Sequence, residues 1–190
     1  MKKRKPSCAP YIVILLLAAL LMVLVAFHTR GHILRYFYPL DYRVQVEAMA
    51  EEYELDPWLV FAMIRVESSF DARAESQAGA CGLMQLMPTT AEWIAKTAGF
   101  ELSEGEIWRS EINIRLGCWY INWLRDYYDG DMVAALAAYN AGMSNVDAWL
   151  ADGLWDGELA TRADIPFAQT RRYVGHVYES YDMYLRLYGE

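Results

Sequence analysis

Residues 11–27, YIVILLLAALLMVLVAF, run for seventeen positions without a charge, directly behind Lys2, Lys3, Arg4 and Lys5. A helix of that length rises about 1.5 Å per residue, roughly 26 Å, which is near the short end of what crosses a bilayer. A helix apolar on every side and flanked by four basic residues does not read as the core of a soluble domain. A cleaved export signal should end in a small-x-small site, yet the exit reads VAFHTRGH, with Phe27 and His28 where small residues belong. A retained single-pass anchor in the cytoplasmic membrane is therefore preferred over a removed signal. The basic N-terminus, residues 1–10, favours the cytoplasmic side, although Arg30 and Arg35 on the far flank weaken that bias. Everything beyond the anchor is expected on the cell-wall or periplasmic side.

Charge and cysteines narrow the function of that exported part. Beyond the anchor there are 13 basic and 25 acidic residues, a net of −12 against −8 for the whole chain. Such a domain repels nucleic acid and anionic lipid, and no basic stripe along the sequence offsets this, so a nucleic-acid partner is not expected. Cys8 precedes the apolar run and so is not placed as a lipoprotein acceptor. Cys81 and Cys118 read as two small buried thiols, with a disulfide between them as the alternative.

Residues 28–40 read as a juxtamembrane linker broken by Pro39, and residues 41–190 as one domain. The domain's pattern is helical nearly throughout, without β-alternation, so the fold class is mainly α. Asp56-Pro57 is an N-cap followed by a first-turn proline, opening WLVFAMIRVESSF. Thr89 with Glu92, and Ser103 with Glu106, each match a capping box. Further helices are expected over 111–128, from Met132, over AGMSNVDAWL and over 169–188, and the loops are 70–81, 98–105 and 152–166. Trp119 and Trp123, at helical spacing, read as core rather than as a sugar platform. Tyr181, Tyr184 and Tyr188 read as the inner face of a docking terminal helix.

Within the Asp56-Pro57 helix, Glu67 shares a face with Val60, Met63 and Ile64. Desolvation and the negative end of the helix dipole both disfavour its carboxylate, which raises the pKa toward the range a general acid needs. Position alone favours a wetted edge or a pair with an arginine such as Arg65. Downstream, GLMQLMP (82–88) sets one polar side chain, Gln85, among apolar ones beside glycines, and AAYNAG sets Tyr139 and Asn140 in a small-residue context. Glycine lets a ligand approach the backbone, and glutamine both donates and accepts hydrogen bonds.

Taken together, Glu67-Ser68, GLMQ at 82–85, AYNAG at 138–142 and TRRYV at 170–174 resemble the family 1 lytic transglycosylases. These are the SLT-domain proteins, which share a fold with goose-type lysozyme, and the likeness spans residues 41–188. It implies a lysozyme-like helical domain whose cleft binds peptidoglycan glycan strands. It also implies cleavage of the β-1,4 bond between N-acetylmuramic acid and N-acetylglucosamine, with a 1,6-anhydro product. By the same resemblance Glu67 is the catalytic acid and then base. Ser76 and Gln85 orient the muramoyl residue, Met87 lines the cleft, Tyr139 and Asn140 contact substrate, and Tyr173 bonds near Glu67.

The sequence departs from the pattern at Gln169, where the family often has glutamate. Asp71 and Glu75 are the candidates for a second carboxylate, which a hydrolysing muramidase on the same fold would need. Short polar side chains in a turn-rich loop read first as solvated residues. A non-catalytic wall-binding scaffold is the third reading. His28 and His32 lack further ligands, so no metal site is expected, and no cofactor is implied.

Overall fold

The structure, a computed structural model, describes residues 9–189 and divides into two units, Met1–Pro39 and Leu40–Glu190. The basic cluster Lys2–Lys5 and Cys8 lie outside the described residues. In the first unit one helix, α1 (Ala9–Phe37), continues well into the segment expected to be linker. A lone glycine costs a helix only about 1 kcal/mol, so Gly31 does not interrupt a cooperative run of helix formers. The helix stops just before Pro39, whose ring disfavours helical geometry in the residue that precedes it. Leu17–Phe37 is long and apolar enough to cross a membrane by length and composition, and Leu17, Leu20, Leu21 and Met22 are exposed.

The second unit is built from helices α2 (Arg43–Glu52), α3 (Pro57–Ser68), α4 (Pro88–Ala98), α5 (Ser110–Tyr127), α6 (Met132–Ala141), α7 (Met143–Ala151) and α8 (Ala168–Tyr188). Two short 3₁₀ turns, Glu106–Trp108 and Arg162–Asp164, interrupt the loops. Helix α3 is central, as its all-round apolar sequence requires: Val60, Phe61, Ala62, Met63 and Ile64 are all buried. Helix α8 packs along it. Tyr184 is fully buried with its ring 5.6 Å from Phe61, Tyr188 stacks on Trp58 at 5.8 Å, and Arg65 donates to the Ser180 hydroxyl at 3.2 Å.

The start of α3 is fixed by Asp56, whose carboxylate accepts from the Trp58 N–H at 2.8 Å while Pro57 fills the first helical position. The other Asp56 oxygen accepts from the Tyr181 hydroxyl at 2.6 Å, so one residue caps α3 and clamps α8 to it. Asp56→Ala is therefore expected to cost about 1–2 kcal/mol. Tyr181→Phe should cost less than Asp56→Ala, and the double variant less than the sum of the two, in chemical-denaturation titrations. Full additivity would mean that the clamp contributes nothing.

Two expected caps come out differently. Pro88 takes the first position of α4, so Thr89 lies inside the helix and Met87 stands at its cap without a side-chain bond. Glu106 does reach back to accept from the Ser103 N–H at 3.0 Å, but it begins a 3₁₀ turn and α5 starts only at Ser110. Trp119 and Trp123 are half-buried rather than core. They stack at 6.3 Å, with Trp93 edge-on at 5.9 and 5.0 Å, and Trp119 packs against the cluster that contains Leu86, Ile94 and Leu116. Cys81 and Cys118 are both buried and free.

Candidate active site

Helix α3 ends at the site. Ser69 and Phe70, at φ 51° and 66°, both take the left-handed conformation, uncommon for residues carrying a Cβ, and turn the chain sharply after Glu67 and Ser68. The Ser68 hydroxyl lies 3.1 Å from the Ile64 carbonyl and 2.8 Å from the Leu83 carbonyl, which joins the end of α3 to the 82–86 loop. That loop is folded around a residue the sequence did not single out. Asn113, on α5, is fully buried, accepts from the Met84 N–H at 2.7 Å and donates to the carbonyls of Cys81 and Ile107 at 3.0 and 2.9 Å. Gly82 has φ +76°, and a methyl on it would stand 2.6 Å from the Asn113 amide nitrogen, so only glycine fits. Gly117 likewise leaves room for the Met84 sulfur.

Glu67 lies in a cavity of about 460 Å³ lined with Val66, Asn140, Gln169, Arg172, Tyr173 and His176. Protein surrounds its carboxyl while the residue as a whole stays half-exposed. This desolvation raises its pKa from the ordinary 4.5 to about 7, against a smaller lowering from the Tyr173 phenol beside it. The phenol is buried and points at the carboxyl without completing a well-formed hydrogen bond to any partner. Burial and the negative charge of Glu67 push Tyr173 and Tyr139 well above the usual phenol range, so both stay protonated donors. Tyr139 donates to the Met84 carbonyl at 2.8 Å, and Asn140 accepts from the Thr170 hydroxyl at 2.9 Å.

The structure thus brings Glu67, Asn140 and Tyr173 to one cavity, with Tyr139 beside the carboxyl. Ser76, Gln85 and Met87 belong to the neighbouring loop. The Ser76 hydroxyl oxygen accepts from the Ala80 N–H at 2.9 Å, and the Gln85 amide nitrogen donates to the carbonyls of Ala74 and Gly82 at 3.0 and 2.9 Å. These bonds hold the loop's shape and leave the Ser76 O–H and the Gln85 amide oxygen without an intramolecular partner among the described residues. Met87 is 38 % exposed. Asp71 and Glu75 are exposed and line no part of the Glu67 cavity, and Asp71 is engaged in accepting from the Arg73 N–H at 2.8 Å. Arg172 and His176 also line the cavity; Arg172 lies within the TRRYV stretch without having been singled out, and His176 carries no sequence signal beyond its place on the last helix.

Residues 45–157 match the family model described as "Transglycosylase SLT domain". The chain is 33 % identical over 161 residues to the soluble lytic murein transglycosylase of Escherichia coli K12, an alignment covering 80 % of this chain and 24 % of that protein. The crystal structure of the 70 kDa soluble lytic transglycosylase of Escherichia coli superposes with a TM-score of 0.77 at 29 % identity, over 83 % of this chain and 26 % of the other. The lytic transglycosylase Slt of Pseudomonas aeruginosa, solved as an inactive glutamate-to-glutamine mutant, matches with a TM-score of 0.72 at 34 % identity, over 80 % and 25 %. The mainly α, lysozyme-like class read from the sequence is the observed one. The chain spans about a quarter of the length of each of these three relatives.

Proposed function

This chain belongs to the transglycosylase SLT domain family, and we propose that it is a membrane-anchored peptidoglycan lytic transglycosylase with Glu67 as its only catalytic carboxyl. One observation carries this reading: Glu67, with a pKa raised to about 7 chiefly by desolvation, is the only carboxyl lining its cavity among the described residues. Anchoring through residues 11–27 is supported by the exposed apolar surface of α1.

The chemistry follows from one group used twice. Protonated Glu67 donates to the glycosidic oxygen as the bond to the muramoyl C1 breaks, and the positive charge developing at C1 is shared with the substrate's own N-acetyl oxygen. The resulting Glu67 carboxylate then takes the proton of the muramoyl C6 hydroxyl while that oxygen bonds to C1 and closes the 1,6-anhydro ring. The proton returns to Glu67, no water is consumed, and the enzyme ends in the state it began. A hydrolase would need a second carboxyl about 5–9.5 Å from the first, and Asp71 and Glu75 face solvent instead. The Tyr173 O–H, beside Glu67, would steady the carboxylate between the two proton transfers.

The test is mass spectrometry of the fragments released from purified peptidoglycan by the full chain in detergent. Disaccharide-peptides one water lighter than hydrolysis products are expected, and full-mass reducing products would replace this reading with a muramidase. Because the acid form starts the reaction, kcat/KM should fall as pH rises through about 7. A rate that stays flat from pH 6 to 9 would remove Glu67 from the role of acid.

A further inference from the structure

Helices α4 and α5 carry an aromatic surface that the mechanism does not use. Trp119, Trp123 and Tyr127 follow one another at four-residue spacing along α5, which puts them on one face. Their rings are nearly parallel, 15° and then 22° apart, with centroids 6.3 and 5.6 Å from one to the next. Trp93 of α4 stands edge-on to the tryptophans, 39 % exposed, and Tyr127 at the far end is 48 % exposed. A cluster of large rings left open to water marks a surface built for contact.

The chemistry of the patch says what it contacts. Its rings are held: the Tyr127 hydroxyl donates to Asp147 at 3.1 Å, and Trp119 packs on the core cluster. A ligand therefore has little side-chain freedom to take away. The patch is also nearly neutral on so acidic a chain. Helix α4 offers one acid and one base, Glu92 and Lys96, and Asp147 is already bound by the hydroxyls of Tyr127 and Tyr128. Among the described residues no acceptor takes the indole N–H of Trp93, Trp119 or Trp123, and none of these nitrogens is sealed from solvent. Flat apolar rings with spare donors and no net charge suit a neutral sugar chain. Pyranose C–H faces pack on aromatic rings, and hydroxyl and acetamido oxygens accept from N–H groups. The patch also adjoins the catalytic cleft. A cavity of about 240 Å³ is lined by Thr89, Thr90, Trp93, Tyr120 and Met143, and the Tyr120 ring lies 5.3 Å from that of Tyr139, beside Glu67.

From this geometry we propose that the aromatic patch of α4 and α5 is a second, non-catalytic glycan-binding surface, which holds strand outside the cleft where Glu67 acts. The proposal rests on the reading of that cleft given above. Such a surface would keep the enzyme on an insoluble wall between cleavages and leave the chemistry at Glu67 unaltered.

The test is hydroxyl-radical footprinting, read by mass spectrometry, of the full chain carrying Glu67→Gln in phosphatidylcholine nanodiscs. The probe is peptidoglycan stripped of its peptides by an amidase. Labelling of Trp93, Trp123 and Tyr127 should fall several-fold when these strands are added, together with labelling of Met87, which reports the cleft. Protection of Met87 with the patch unchanged overturns the proposal and leaves the cleft reading standing. Strands that protect neither overturn both. Rings already protected before any glycan is added would assign the patch to the lipid surface and overturn the proposal equally. In the same background, Trp123→Ala with Tyr127→Ala should weaken co-sedimentation with the stripped wall roughly tenfold, and the corresponding pair of phenylalanine substitutions should recover most of the loss. An alanine pair that binds as tightly as its parent also overturns the surface. Neither assay reads cleavage. A wild type that releases full-mass reducing fragments, or none, would therefore refute the transglycosylase reading while the protected rings still establish the surface.

Discussion

Glu67→Gln is expected to lower fragment release by about 10²–10⁴-fold, toward the upper end because one carboxyl serves both proton transfers. Glutamine keeps the shape and some hydrogen bonding, so substrate binding should persist. Stability supplies an independent check with a definite sign. A carboxyl raised from 4.5 to about 7 in the folded protein binds its proton more tightly there than in the unfolded chain. Its favourable contribution is complete below pH 4.5 and is lost as pH rises through about 7. Above that pH the wild type holds a desolvated carboxylate that the amide variant lacks. Thermal unfolding should therefore find Glu67→Gln at least as stable as wild type at about pH 8, with the two closer together near pH 4. An inactive variant that was also destabilised at pH 8 would mean that the substitution had damaged the cavity, and its inactivity would carry no mechanistic weight.

Local chemistry made much of this legible in the sequence. Asp56-Pro57 marked the start of α3 because an N-cap and a first-turn proline act within four residues, and the apolar run that followed identified the central helix and the odd position of Glu67 on it. Interactions between distant segments were harder to read. Asn113 looks like any polar residue of a helix until the fold brings it to Met84, 29 positions earlier. The positive φ of Gln85, and of Ser69 and Phe70, belongs to residue types that seldom adopt it, so no glycine announced those turns. Thr89 does not cap α4 because Pro88 takes the same helix start. The half-buried tryptophans show the same limit: spacing along α5 gives a stripe without saying what covers it.

Removing Asn113 should have the largest effect on stability of any single polar side chain in the catalytic unit. Asn113→Ala leaves the Met84 N–H and the Ile107 carbonyl without partners in a dry interior, at about 1–3 kcal/mol each before relaxation or an entering water, while the Cys81 carbonyl keeps its bond from the Leu86 N–H. A net loss of about 3 kcal/mol corresponds to a fall in Tm of roughly 6–12 °C for a domain of this size. Asn113→Asp separates bonding from shape. At neutral pH it offers only acceptors to two carbonyls and should be at least as damaging, with partial recovery under acidic conditions, where its protonated form donates one bond. The same contact couples to Gly82. In the wild type Gly82→Ala meets both the Asn113 amide and an unfavourable φ of +76°, whereas in Asn113→Ala only the backbone penalty remains. The double variant should accordingly be more stable than the sum of the single losses predicts. Strict additivity would show that the loop carrying Gln85 is held by something other than this asparagine, and activity could then survive its removal.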